Sequence, residues 1–111
     1  MNDKDQSAAI RDLNDAFRRS LKGGTLLLTS GIIALGAEAQ ATIIEAVRAF
    51  DAFTPDNDPH GEHDFGGFDF AGQKFFWKID YYDPQLKYGS DNPSDAAKTR
   101  RVMTIMLAEE Y

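Results

Sequence analysis

The chain contains no cysteine. That excludes disulfides, thiolate metal ligands and a cysteine nucleophile, and it removes any sign of an oxidising compartment. Histidine is scarce, with two residues in 111. Long apolar runs are missing too, since the longest, LLLTSGIIALG (26–36), is far short of a membrane span. The amino terminus shows no apolar segment behind basic residues, so no secretory leader is read there and a cytoplasmic location is expected. There is no internal repeat and no low-complexity tract. Ser20, Ser30, Ser90 and Ser94 lie in no nucleophile-elbow motif. The pairs Gly23-Gly24 and Gly66-Gly67 open no phosphate-binding loop.

What is present is acidity, unevenly spread. Residues 1–50 carry six acids and six bases, whereas residues 51–95 carry ten acids against three lysines, a local charge of −7 within a total of −6. A surface of that sign repels phosphate backbones, so it disfavours direct nucleic-acid binding and favours cations or a basic protein surface.

At 111 residues, 42% hydrophobic and with eight Phe, the chain is the size of a single domain, expected over 7–111 behind a flexible segment 1–6. In residues 7–21, Ile10, Leu13, Phe17 and Leu21 form a helical stripe. Ser7 or Asp5 is its expected cap, Arg18, Arg19 and Lys22 suit its carboxyl end, and Gly23-Gly24 terminates it. TLLLTSGIIAL (25–35) reads as a strand buried on both faces, with Gly31 as a bulge or a point of close approach. Residues 38–53 return to helical period through Ile43, Ile44, Val47 and Phe50, and TPDNDP follows as a loop.

Residues 63–82 read as a hairpin turning at Ala71-Gly72. That register places Phe68 opposite Phe75, Asp69 opposite Lys74 and His63 opposite Asp80. It puts Phe68, Phe70, Phe75, Trp77, Ile79 and Tyr81 on the core face. A bulge at Gly66-Gly67 would shift what precedes it by one residue. Beyond a loop in which Ser94 or Asp95 caps a short turn, Val102, Thr104 and Ile105 favour a strand and Met103, Met106, Leu107, Ala108 and Glu109 a helix. Residues 100–109 are read as a last strand because it completes the sheet. The expected fold is α+β: a four-stranded, largely antiparallel sheet with two helices on one face.

The runs NDP (57–59), GEHDFG (61–66), WKIDYYD (77–83) and TRRVMTIMLAEEY (99–111), with LND (13–15) and TSGIIALG (29–36) before them, resemble the bacterial family catalogued as domain of unknown function 3768. The resemblance implies no activity, cofactor or catalytic residue. Members of that family look typical of alphaproteobacterial chromosomes and plasmids, which implies mobile-element biology, where small acidic proteins often act as inhibitors of defence systems.

PHGEHDF (59–65) gathers the titratable groups. His60, Glu62, His63 and Asp80 are ligand types for a divalent metal such as zinc or manganese. Their spacing matches no recurrent motif, and neighbours on a strand point to opposite faces. The structural alternative is a cross-strand hydrogen bond between His63 and Asp80. On the same register Glu62 and Asp64 point at the aromatic face. There a carboxylate either pairs with Arg100 or Arg101 or, unpaired, acquires a raised pKa and becomes an acid/base candidate beside His63 and Asp80. No cofactor is expected. The preferred reading is binding without catalysis, an acidic surface of Asp56, Asp58, Glu62, Tyr82, Asp83, Tyr88 and Asp91 docking a basic partner. Metal-assisted hydrolysis through the HGEHD segment is the alternative, and a homodimer joined through the edge of the last strand is a third.

Overall fold

A computed structural model describes residues 3–111. Helix α1 spans Asp3–Ser20, so Asp5 and Ser7 lie inside the helix instead of capping it. Of the segment expected to be flexible, residues 1–2 fall outside the described residues. Ile10 and Phe17 are buried as the periodicity requires, but Asn14 and Arg18 are buried with them at 0% exposure. Arg18 is therefore an interior side chain, not a surface complement to the helix dipole. The chain leaves the helix through Leu21, whose φ is +60° and whose N–H donates to Phe17 O at 2.7 Å.

The expected strand 25–35 is two elements. Strand β1 covers Gly24–Leu28 and helix α2 covers Ser30–Ile33. The C-terminus causes the break. Glu110 accepts from the Thr29 hydroxyl at 2.6 Å, from Gly31 N–H at 3.0 Å and from Leu107 N–H at 2.8 Å. Its carboxylate lies where a Cβ on Gly31 would stand, 2.6 Å away. Of the two roles expected for Gly31, close approach is the one it serves, within a helical turn. Nor is β1 buried on both faces, for Leu27 is 49% exposed.

Helix α3 spans Ala37–Arg48 and buries Ile43 and Val47 completely. It stops five residues before the expected end at 53. Arg18 Nη2 donates to Phe50 O at 3.0 Å, and Phe50 and Phe53 reach the core from irregular backbone.

Strands β2 (Phe65–Phe70) and β3 (Gln73–Tyr82) form the hairpin in the expected register, with Phe68 opposite Phe75, Asp69 opposite Lys74 and Gly66 opposite Trp77. The ladder runs unbroken through Gly66-Gly67, without a bulge. Ala71 and Gly72, at φ +52° and +81°, make the two-residue turn that suits strand twist. Strand β4 (Arg100–Leu107) lies antiparallel to β3 and parallel to β1, giving the order β1-β4-β3-β2. The fold is α+β. Phe75, Trp77, Ile79, Met103 and Ile105 face Phe17, Ile32, Ile43 and Val47 across one core. Because β4 is flanked by β1 and β3, it has no free edge through which two copies could join.

Candidate functional site

The order of the strands determines where the polar residues meet. The chain enters β2, leaves β3 and enters β4 at one end of the sheet. Residues 51–64 and 83–99 are therefore brought together there, beside the middle of α1.

At the centre of this end lies a polar network. Arg101 Nε donates to Asn14 Oδ1 at 2.7 Å and Arg101 Nη2 to Pro93 O at 2.6 Å. Asn14 Nδ2 donates to the Tyr81 hydroxyl at 2.8 Å and to Glu62 O at 3.0 Å. The Tyr81 hydroxyl in turn donates to Glu62 Oε1 at 2.9 Å. The Arg101 guanidinium lies 5.2 Å over the Tyr81 ring. Burial pushes the Tyr81 phenol well above its ordinary range, and the charges of Asp64 and Glu62 add to that. Burial pulls Arg101 down, partly offset by Tyr81 and Glu62, yet a guanidinium remains a cation. The network joins α1, the loop before β2, β3 and β4 into one unit.

A second cluster surrounds His63, which takes φ +55° and so leaves the hairpin. Its Nδ1 lies 2.9 Å and 3.2 Å from the two oxygens of Asp15. Arg18 Nη1 donates to the same Asp15 at 2.9 Å. The imidazole stacks on Phe53 at 3.7 Å with the planes 2° apart. Arg18 itself lies 5.3 Å from both the Phe53 and Trp77 rings. Burial pushes the Asp15 carboxyl up, but hydrogen bonds from His63 and Arg18 outweigh it and hold the group below the ordinary range.

Several sequence expectations change here. His63 does not meet Asp80, which lies on the opposite sheet face with its carboxylate 2.9 Å from Lys78 Nζ. The ladder ends at Phe65, although Asp64 O still accepts from Ile79 N–H at 2.8 Å. Asp64 pairs with neither Arg100 nor Arg101. Arg101 is committed to Asn14 and Pro93, and Arg100 sits opposite Tyr82 and is exposed. Asp64 is left half-buried, its pKa raised by burial and by the charges of Glu62 and Asp58. Of the metal candidates, His60 is exposed, Glu62 is held by Tyr81 and Asp80 faces away. Among the described residues no three His, Asp or Glu side chains group as metal ligands, and no hydroxyl hydrogen-bonds the His63 ring.

The expected binding surface divides in two. Asp58 is buried and Glu62 is half-buried in the Tyr81 network, so neither stands among the fully exposed acids. Asp56 and Asp91 remain exposed, joined by Asp51. Among the described residues none of these three forms an ion pair. The segment 82–90 is tied back on itself. Asp83 N–H donates to Tyr88 O at 2.8 Å and Ser90 N–H to Tyr81 O at 3.0 Å. Tyr88 is left 74% exposed and Leu86 53% exposed, whereas Tyr82 and Asp83 are half-buried. Asp95, as expected, caps the following 3₁₀ turn, accepting from Ala97 N–H at 2.9 Å.

Sequence reasoning missed Asn14, Asp15, Arg18, Phe53 and the bonding role of Tyr81. One signal was present. Asn14 and Arg18 are four apart and flank Phe17, so they share the buried stripe, and polar groups on such a stripe need partners.

A family model described as "Protein of unknown function (DUF3768)" matches residues 28–110. No curated protein and no solved structure matches the chain.

Proposed function

Since the chain belongs to that family, whose description assigns no activity, we propose a function from its own residues: binding a basic protein surface through the acidic end of the sheet. One observation carries the reading. Asp51, Asp56 and Asp91 stand exposed at the same end as Tyr88, with no cation committed to them among the described residues. Unpaired carboxylates steer a cationic partner, and an exposed tyrosine beside them supplies contact area at small entropic cost. The polar network underneath supports the reading, because it fixes both acidic loops to the sheet and pre-organises the surface. A partner whose basic surface otherwise binds nucleic acid fits this chemistry, and occupying that surface would inhibit it.

The test uses a deca-arginine peptide as the basic probe, titrated calorimetrically across a sodium chloride series. Affinity falls with salt. Each exposed ionic contact is worth up to about 1 kcal/mol, so reversing Asp56 and Asp91 to Lys together weakens binding about tenfold. Reversing Asp69 and Glu109, at the opposite end of the sheet, has little effect. Equal effects from the two pairs would remove the proposal.

A second reading is hydrolysis with Asp64 as the proton donor or acceptor. It is favoured by one feature, a half-buried carboxylate with a raised pKa that forms no ion pair among the described residues. Turnover of an activated phosphodiester that disappears in Asp64→Asn, with the fold intact, would support it. Turnover indifferent to Asp64→Asn, or its absence in the native chain, would count against it.

A further inference from the structure

Asp58 and His63 meet in an open depression of about 440 Å³, also lined by Phe53, Pro55, Pro59 and His60. His63 Nδ1 faces both oxygens of Asp15, and a carboxylate only accepts, so Nδ1 carries the proton. In the neutral ring Nε2 is then a bare acceptor. It stands 3.5 Å from Asp58 Oδ2. Asp58 Oδ1 already accepts the His63 backbone N–H at 3.2 Å, whereas Oδ2 receives no hydrogen bond among the described residues. The Asp58 side chain is only 5% exposed. With the neutral ring, two acceptors thus lie 3.5 Å apart with no donor between them, a spacing that one donor group can bridge.

We propose that Asp58 and His63 form the seat for one arginine side chain of the basic partner, whose guanidinium donates to Asp58 Oδ2 and His63 Nε2. This rests on the binding function above and names the group that is recognised. Arginine fits for three reasons. Its planar fork offers several donors to two acceptors a few ångströms apart, and it sheds water more readily than an ammonium. Pro55 and Pro59, which line the same depression, offer apolar contact to the aliphatic stem. The surrounding charge is negative, through Asp56, Glu62 and Asp64, while Arg18 is spent on Asp15 and Phe50 O. A proton competes for the same gap, since the doubly protonated ring, with Asp15, Arg18 and Asp58 as its charged neighbours, supplies its own donor to Asp58.

The probe is methylguanidinium chloride, titrated into the isotopically labelled full chain against sodium chloride of equal concentration. The His63 ring nitrogens are followed by NMR. A saturable change at Nε2 is expected, with the Asp15-bound Nδ1 signal kept, and affinity about tenfold weaker once the ring is doubly protonated. Asp58→Asn weakens binding by a similar factor. The pH comparison on the native chain decides the question if that variant does not fold. An Nε2 signal that never saturates, or affinity unchanged by ring protonation, would overturn the proposal, as would a folded Asp58→Asn that binds like the native chain. If methylguanidinium fails while deca-arginine binding still depends on Asp56 and Asp91, the seat alone is wrong. If methylguanidinium saturates while peptide binding ignores those positions, the broader binding function is wrong.

Discussion

His63 Nδ1 and Asp15 Oδ1, 48 residues apart in the chain, lie 2.9 Å from each other. The contact pins the PHGEHDF segment to helix α1 instead of to the opposite hairpin strand. It couples the acidic loop to the core, because Arg18, wholly buried, holds the same carboxylate.

This coupling predicts an acid-sensitive fold. The folded-state pKa of Asp15 lies below its ordinary 3.8, so its stabilisation is complete above that value and is lost as pH falls through the folded one. Calorimetric melting of Asp15→Asn should be lower than that of the native chain at neutral pH. The two should converge below about pH 4. A constant gap would contradict the assignment.

Asp64 carries the opposite sign. Its folded pKa is raised, so it imposes no cost below 3.8 and an increasing one as pH rises through the folded value. Asp64→Asn should therefore raise the melting temperature at neutral pH and leave it unchanged in acid. A loss of stability at neutral pH would show a partner that the geometry does not contain.

Asn14 is the hub of the buried network, with contacts to Arg101, Tyr81 and Glu62. Asn14→Leu leaves the Arg101 guanidinium short of an acceptor in a buried site. Urea unfolding should show a loss of about 3 kcal/mol. A loss under about 1 kcal/mol would mean that the network contributes little.

Gly66 is a packing requirement. A Cβ there would collide with Trp77 Nε1 and stand 2.8 Å from Phe50 Cζ. Gly66→Ala should destabilise by about 1–3 kcal/mol in urea unfolding, whereas Gly61→Ala meets nothing within 4 Å and tests only the cost of its positive φ.

Much of this architecture was legible in the residues. Alternation of aromatic and polar side chains across Phe68–Tyr81, with a turn pair at Ala71-Gly72, specified the hairpin register, because a slip of one residue would turn the aromatics outward. What was not legible depended on distant partners. TSGII (29–33) reads as strand from composition, yet Glu110 turns it into helix across the domain. His63 was placed opposite Asp80 by extending the ladder, but its positive φ breaks that extension, and its partner lies on a helix no local pattern connects to it. Asp58 looked like a surface charge in a polar loop and is buried, since His63 N–H claims its carboxylate. The local charge of −7 was readable. Which of its members stay free was not.

The most direct test of the central claim is amide chemical-shift mapping of the labelled chain during titration with deca-arginine. The account predicts saturating changes concentrated in residues 51–64 and 83–95, with residues 69–74 and 107–110 nearly still. Changes spread evenly over all exposed carboxylates, or centred on the hairpin turn, would contradict it.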